Sequence, residues 1–315
     1  MGARLAIVTL ALGVLLAFGA SRCAPQQPLP RPEAPASQPP PFVPPPEDQP
    51  RPATPPPVNA AEECSRPGPW SVAARRNLAS MDVLNWSPFG RPEVGWRTYG
   101  PVVAAAAGTV CRPFEPGFAE AWAKWERTRG HPADGVVSEA EVIAMKNEAH
   151  GRRPFVQVRG KGVCPSPPPP TNLVTAGPTE GYKGKAVQMR PAVLAAYRKM
   201  VTAALAEDPR IAADPEMLDV FSAFRSPDYD AARCERDGNC QGITRAKCSP
   251  HRTGLALDLV VGAAPGYGVD SSADPNRLVQ SQMPAYQWLV KNAGRFGFVN
   301  YLFEPWHWEY VEEPI

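Results

Sequence analysis

Apolar positions along this chain recur at helical and strand periods, and the switches between them mark its elements. Phe118, Trp122 and Trp125 fall at i, i+4 and i+7, which predicts an amphipathic helix stopping at Gly130. Ala133-Asp134-Gly135 is a turn signal. Ser138 with Glu141 three positions later reads as a capping box opening a second helix, with Val142, Met145 and Ala149 on its buried face. Pro191 suits the first turn of a longer helix running to about Ala206, with Leu194, Tyr197, Val201 and Leu205 as its stripe and Pro209 blocking continuation. Leu218 to Phe224 is a strand candidate with Arg225 at its end, and Leu255 to Val261 reads as a strand interrupted by its own acid, Asp258. Ala263 to Met283 is rich in Gly, Ser, Asp and Pro and predicts a loop. Pro284 opens another helix, with Leu289, Ala293 and Phe296 on one side and Gly297 as its stop. Phe298 to Phe303 returns as a strand. After Pro305, Trp306, Trp308 and Tyr310 alternate with His307, Glu309 and Val311, so His307 points one way and the aromatics wall the other.

Composition divides the chain. Arg4 followed by the apolar run Leu5 to Phe18 and the small residues Gly19, Ala20 and Ser21 reads as an export signal over residues 1–22. The run is too short for a comfortable membrane span. Lipidation of Cys23 is an alternative that would make a membrane anchor, although Arg22 before it suits that poorly. Residues 23–60 are a proline-rich stalk. Pro25 to Pro57 is nearly half proline, has little to bury, and should populate extended polyproline II. At about 3.1 Å per residue it could reach on the order of 100 Å. Residues 61–164 have the composition of a small, mostly helical N-terminal domain. Cys164-Pro-Ser-Pro-Pro-Pro-Pro170 then marks a stiff linker over 165–170, leaving 171–315 as a second domain.

A net charge of +2 with 20% charged residues, and no dense basic run, argues against a nucleic-acid partner. Export permits disulfides. Setting Cys23 aside, six cysteines allow fifteen pairings. They divide three and three between the halves, so full pairing needs at least one bridge between them. The absence of a Cys-x-x-Cys pair argues against a zinc ribbon. Nothing in the sequence sets an oligomeric state.

The chemistry concentrates in two late motifs. Ser249-Pro-His251-Arg-Thr-Gly254-Leu-Ala256-Leu-Asp258 is answered by Glu304-Pro-Trp-His307, and these hold two of the chain's four histidines. Two imidazoles and a carboxylate suit a borderline metal such as zinc, and three protein ligands leave a fourth position for water, the catalytic arrangement. Glu304, three residues before His307, could take a proton from that water. Asp258 in an apolar run is costly unless its charge is compensated, and a cation provides that. On a straight strand His251 and Asp258 would face opposite ways, so Thr253-Gly254 must turn the chain. The plain readings are a satisfied core histidine, a structural Asp and a solvated Arg at a strand end; the joint pattern is harder to explain that way. Trp122 and Trp125 read as core residues, and His131 and His150 as surface residues.

Ser249-x-His251-x-x-Gly254-x-Ala256-x-Asp258 with Glu304-x-Trp306-His307 resembles the signature of the zinc D-alanyl-D-alanine carboxypeptidases, in the VanY-type branch of the M15 metallopeptidases. Ser222-Ala-Phe-Arg225-Ser226 resembles that family's Ser-x-Tyr-Arg-Ser element, and the likeness covers roughly residues 187 to 313. It implies zinc on His251, Asp258 and His307, Glu304 as catalytic base, and Arg225 as a substrate-facing cation, with Ser249 as a further substrate contact. The implied fold is α+β, a small antiparallel sheet with flanking helices carrying a zinc cleft. The implied substrate is a peptidoglycan stem peptide cut at or near a D-amino acid, in the periplasm or cell envelope. D,D-carboxypeptidase, L,D-carboxypeptidase and endopeptidase all share these residues; a non-catalytic wall-binding zinc protein would have no need of Glu304. Phe224 replaces the usual Tyr, and Asp230 stands where many members carry Gln. Residues 125–135 also loosely resemble a peptidoglycan-binding-like helical repeat.

Overall fold

The computed structural model describes residues 60–238, 240 and 247–315, and these residues belong to one compact unit. The export signal, Cys23 and the proline-rich stalk lie outside the described residues. The first half opens with helices α1 (Ala60–Ser65) and α2 (Ser71–Ser80) and a short hairpin, β1 (Asn85–Trp86) against β2 (Glu93–Val94). Helices α3 (Gly100–Ala106), α4 (Pro116–Thr128), α5 (Glu139–Gly151) and α6 (Pro154–Arg159) follow. The expected stripe of α4 is its buried face: Phe118 and Trp122 are fully buried, and Trp122 stacks on Trp125 with centroids 4.3 Å apart. Ser138 and Glu141 close the capping box at α5. Between these helices Gly135 takes φ 72°, and a Cβ there would lie 2.6 Å from the Ala119 carbonyl oxygen, so only glycine fits. Buried Asn77 pins the same turn, donating to the Gly135 carbonyl and accepting from the Val137 N–H.

The second half adds the pair β3 (Val174–Thr175) and β4 (Gln188–Met189), helices α7 (Pro191–Glu207) and α8 (Pro209–Ala212), strand β5 (Val220–Ser222) and helix α9 (Pro227–Arg236). Then come β6 (Ala256–Leu259), α10 (Asp274–Gln282), α11 (Pro284–Asn292), β7 (Phe298–Asn300) and β8 (His307–Tyr310). Four of these strands make an antiparallel sheet in the order β5-β6-β8-β7, with helices packed at its side: an α+β fold.

Two expectations need correction. The loop predicted over Ala263 to Met283 contains α10, whose buried face is Asn276, Arg277, Gln280 and Ser281. A polar buried face leaves no apolar period to read. On α7 the buried residues are Val193, Leu194, Tyr197, Met200 and Ala204, so Leu194 and Tyr197 of the expected stripe are buried, whereas Val201 is only partly buried and Leu205 is 41% exposed. Pro209 does end α7 but also opens α8, with the Asp208 side chain accepting from the Arg210 N–H.

The proline run does not keep the halves apart. Cys164–Cys248 bridges them, while Cys64–Cys111 and Cys234–Cys240 each close within one half. Fully buried Arg277 reaches from α10 to Glu93 and to the Tyr99 hydroxyl, and donates to the Phe303 carbonyl at 2.8 Å. Arg153, just before α6, holds Glu309 of β8 at 2.5–2.8 Å with both side chains buried. Leu302 belongs to the aromatic core of the first half. Expressed alone, residues 171–315 would lose the buried pairing of Glu309 with Arg153 and of Arg277 with Glu93, leaving Glu309 with His307 and Arg277 with Asp274 and the Phe303 carbonyl, at about 3–5 kcal/mol for each broken buried pair. The fragment should be markedly less stable than residues 60–315 in urea titration under oxidising conditions. Equal midpoints would show that the halves fold independently.

Candidate metal centre

Strand register builds the site. Ser222 of β5 lies opposite Asp258 of β6, and Asp258 lies opposite His307 of β8. Directly opposed residues in adjacent strands share a sheet face, so the three form one row. His251 enters from elsewhere, on a 3-10 turn over Pro250–Thr253. Ser249 caps that turn by accepting from the His251 N–H at 3.2 Å, and Gly254 ends it with φ 70°. The seven-residue spacing is thus resolved by a turn that lifts His251 off the strand.

The ligating atoms converge. His251 Nε2 lies 3.1 Å from Asp258 Oδ2, and His307 Nδ1 lies 2.8 Å from Asp258 Oδ1. One donor atom from each residue falls within 4.8 Å of the other two, and all three residues are buried. The outward ring nitrogens fix the tautomers suited to a cation. His251 Nδ1 meets the Ala223 carbonyl at 2.7 Å, where it must donate, and His307 Nε2 faces Glu309 Oε1 at 3.3 Å. Without a metal the inner nitrogens meet Asp258 as hydrogen-bond donors; a cation would replace those protons, with the outer nitrogens still held by acceptors, the pattern of metal-binding histidines. The donor set fits zinc.

In the metal-free protein these groups pull one another's titration apart. Burial, aided by the Arg225 charge, drives His251 down to about 4. Burial also works against a charged His307, but its bonds to Asp258 and Glu309 outweigh that and raise it to about 9. Burial would raise Asp258, yet the two histidines hold it well below the usual carboxylate range. Burial likewise opposes Glu309, which Arg153 and His307 bring down to about 2.

Glu304 sits in the turn between β7 and β8. Its N–H donates to the Tyr301 carbonyl at 2.8 Å, and its own carbonyl accepts from the His307 N–H at 3.0 Å. Burial pushes its carboxyl up to about 7, near the value that suits a base at neutral pH. Arg225 is gripped on three sides: Nε donates to Asp230 at 2.9 Å, Nη1 to Ser222 at 2.8 Å, and Nη2 to Ser249 at 2.9 Å. The Ser249 oxygen is therefore engaged by Arg225 and His251, which makes it a support for both. All the expected site residues line one cleft of about 1010 Å³: Glu304, Arg225, Ser249, His251, Asp258 and His307.

Several contributors were not legible beforehand. Asp230 is buried and anchors Arg225, although sequence marked it only as a departure from the family pattern. Ser222 was marked only as part of the Ser222-Ala-Phe-Arg225-Ser226 element, with no role; Glu309 and Arg153 carried no local signal, and only the period of two in β8 placed Glu309 on the His307 face. His150, expected at the surface, is half-buried beside Phe89 and Tyr301. Burial there pulls it down to about 3. His131 stacks on Trp125.

Residues 186–313 match the family model described as VanY: D-alanyl-D-alanine carboxypeptidase. The match covers less than half of the chain and includes every expected site residue. No curated protein matches the chain. A solved structure of the LdcB LD-carboxypeptidase, described as revealing the molecular basis of peptidoglycan recognition, is 22% identical. That alignment covers 47% of this chain and 71% of that one with a TM-score of 0.34, too loose to carry functional weight.

The raised His307 gives a signed prediction for chelator-treated protein. Between about 6.5 and 9 the folded state binds a proton that the unfolded state has released, so this contribution to stability is present below 6.5 and lost as pH rises through 9. The stability difference between wild type and His307→Gln, from urea melts in chelator, should shrink from pH 6.5 to 9.5. A difference that is flat or grows over that range would contradict the Asp258–His307–Glu309 pairing.

Proposed function

We propose that residues 186–313 form a zinc-dependent peptidase that hydrolyses peptidoglycan stem peptides at or near a D-amino acid, acting as a D-alanyl-D-alanine carboxypeptidase. The observation that carries this reading is the meeting, in one cleft, of a three-donor set with a carboxyl pushed up to about 7. The family match supports the substrate class. Three disulfides among the described residues fit an exported protein in the periplasm or cell envelope, as the N-terminal sequence suggests.

His251, Asp258 and His307 would hold the zinc, which when bound supplies a Lewis acid for carbonyl polarisation and water activation. Glu304 takes the proton from the attacking water and returns it to the leaving amine, and its raised carboxyl suits both transfers. Asp230, Ser222 and Ser249 fix Arg225, so the guanidinium is preorganised to hold a substrate carboxylate or the developing oxyanion. The cleft is open and large enough for a peptide, and its walls decide between the D,D-, L,D- and endopeptidase variants of this chemistry.

Replacing Glu304 by Gln tests the reading. Zinc should be retained, because Glu304 is not in the donor set, while turnover should fall roughly 10²–10⁴-fold. Muropeptides incubated with wild type and Glu304→Gln at matched zinc occupancy would be resolved by mass spectrometry. Loss of a terminal D-alanine with wild type alone is the expected result. Equal cleavage would remove Glu304 as the base, and no cleavage of D,D- or L,D-substrates by either protein would favour a wall-binding role.

A further inference from the structure

One residue of the first half reaches the metal centre through a buried chain of contacts. Arg153 precedes α6, far in sequence from the metal motifs, and its side chain is 6% exposed. Its Nε and Nη2 both close on Glu309 Oε1, at 2.8 and 2.5 Å. The same oxygen faces His307 Nε2 at 3.3 Å, and the opposite nitrogen of that ring points at Asp258. The guanidinium also lies over the Tyr301 ring, 4.5 Å from its centroid, and Tyr301 in turn stands edge-on to His307 at 6.1 Å. Arg153 thus touches both groups that bracket the His307 ring. With Phe155 and Val156 it also lines the cleft, so the first half forms part of the site's wall.

We propose that Arg153 is a positioning residue for the metal centre, fixing Glu309 and through it the ring of His307, so that the N-terminal half completes a site whose proposed ligands all lie in the other half. The physical argument is one of shared acceptors. Glu309 is buried, and without Arg153 its carboxylate would either swing toward solvent or remain as an uncompensated charge. The first removes the acceptor on His307 Nε2, and the second leaves that acceptor without the tie that fixes its position. The ring then loses, or holds less firmly, the hydrogen bond that selects its tautomer, and outer contacts of this kind typically govern metal affinity by 10–100-fold. Arg suits the position better than Lys because two donors of one planar fork converge on a single oxygen.

This inference rests on the metal reading above, so its test separates the two. Zinc affinity of the full chain would be measured by competition with a chromogenic chelator for wild type, Arg153→Met, Glu309→Gln, the double variant and Arg153→Lys, with a thermal melt of each. Arg153→Met and Glu309→Gln should each weaken zinc binding roughly 10–100-fold. The double variant should be no weaker than the weaker single, because both act on one contact, and Arg153→Lys should fall between wild type and Arg153→Met. Unchanged affinity in Arg153→Met, with only a lowered melting temperature, would reduce Arg153 to a structural tie and overturn the proposal. Losses that multiply in the double variant would also overturn it. If Arg153→Met does not fold, Arg153→Lys decides, and wild-type affinity there would count against the proposal. A wild type that takes up no zinc would remove the metal reading itself, and this one with it.

Discussion

The structure depends on one buried carboxylate. Asp258 sits in an inner strand of the four-stranded sheet, in an apolar run whose other members are buried. Carrying a charge there is unfavourable unless other groups compensate it. Three groups close to it do so: a histidine from the neighbouring strand, a histidine lifted in by a turn, and a guanidinium 3.6 Å away. Those contacts hold Asp258 ionised, and the same arrangement leaves three donors facing one point. A structural Asp would be satisfied by the arginine and N–H donors alone. Two imidazoles whose outer nitrogens are both engaged are harder to explain without a cation between them.

Around that point the chain places supports in layers. Asp230, Ser222 and Ser249 fix Arg225, while Ala223 and Glu309 fix the two imidazoles, and Arg153 fixes Glu309. Rigidity of this kind is what a hydrolytic site requires, because preorganised dipoles act on a developing charge without reorganising. The halves of the chain are coupled through the same contacts. Arg153 and Arg277 are both buried and both cross the proline run, so the first half stabilises the fold and stiffens the site together.

Much of this was legible in sequence where the signal was local. Gly130 and Gly297 as stops, the Ser138–Glu141 box and Pro191 as a helix start are chemistry that a few neighbouring residues decide. The grouping of His251, Asp258 and His307 came from the family resemblance; only the need for a turn at Thr253-Gly254 and the period of two around His307 were local signals. What sequence hid was long-range and polar. α10 buries Asn276, Arg277 and Gln280, so its periodicity is silent, and its partners Glu93 and Tyr99 lie far away in the chain. His150 read as a surface residue because nothing near it in sequence foretells Phe89 and Tyr301. Arg153 followed the same rule, since an arginine before a proline carries no mark of a glutamate that only the fold brings near.

The central claim is that His251, Asp258 and His307 form a zinc site with an exchangeable position. X-ray absorption at the zinc edge on the purified full-length protein tests it most directly. The account predicts one zinc per chain in a tetrahedral shell of nitrogen and oxygen at about 2.0–2.1 Å, with two imidazoles and no sulfur. A sulfur-containing shell, or zinc that remains stoichiometric and unaltered in His307→Ala, would contradict it.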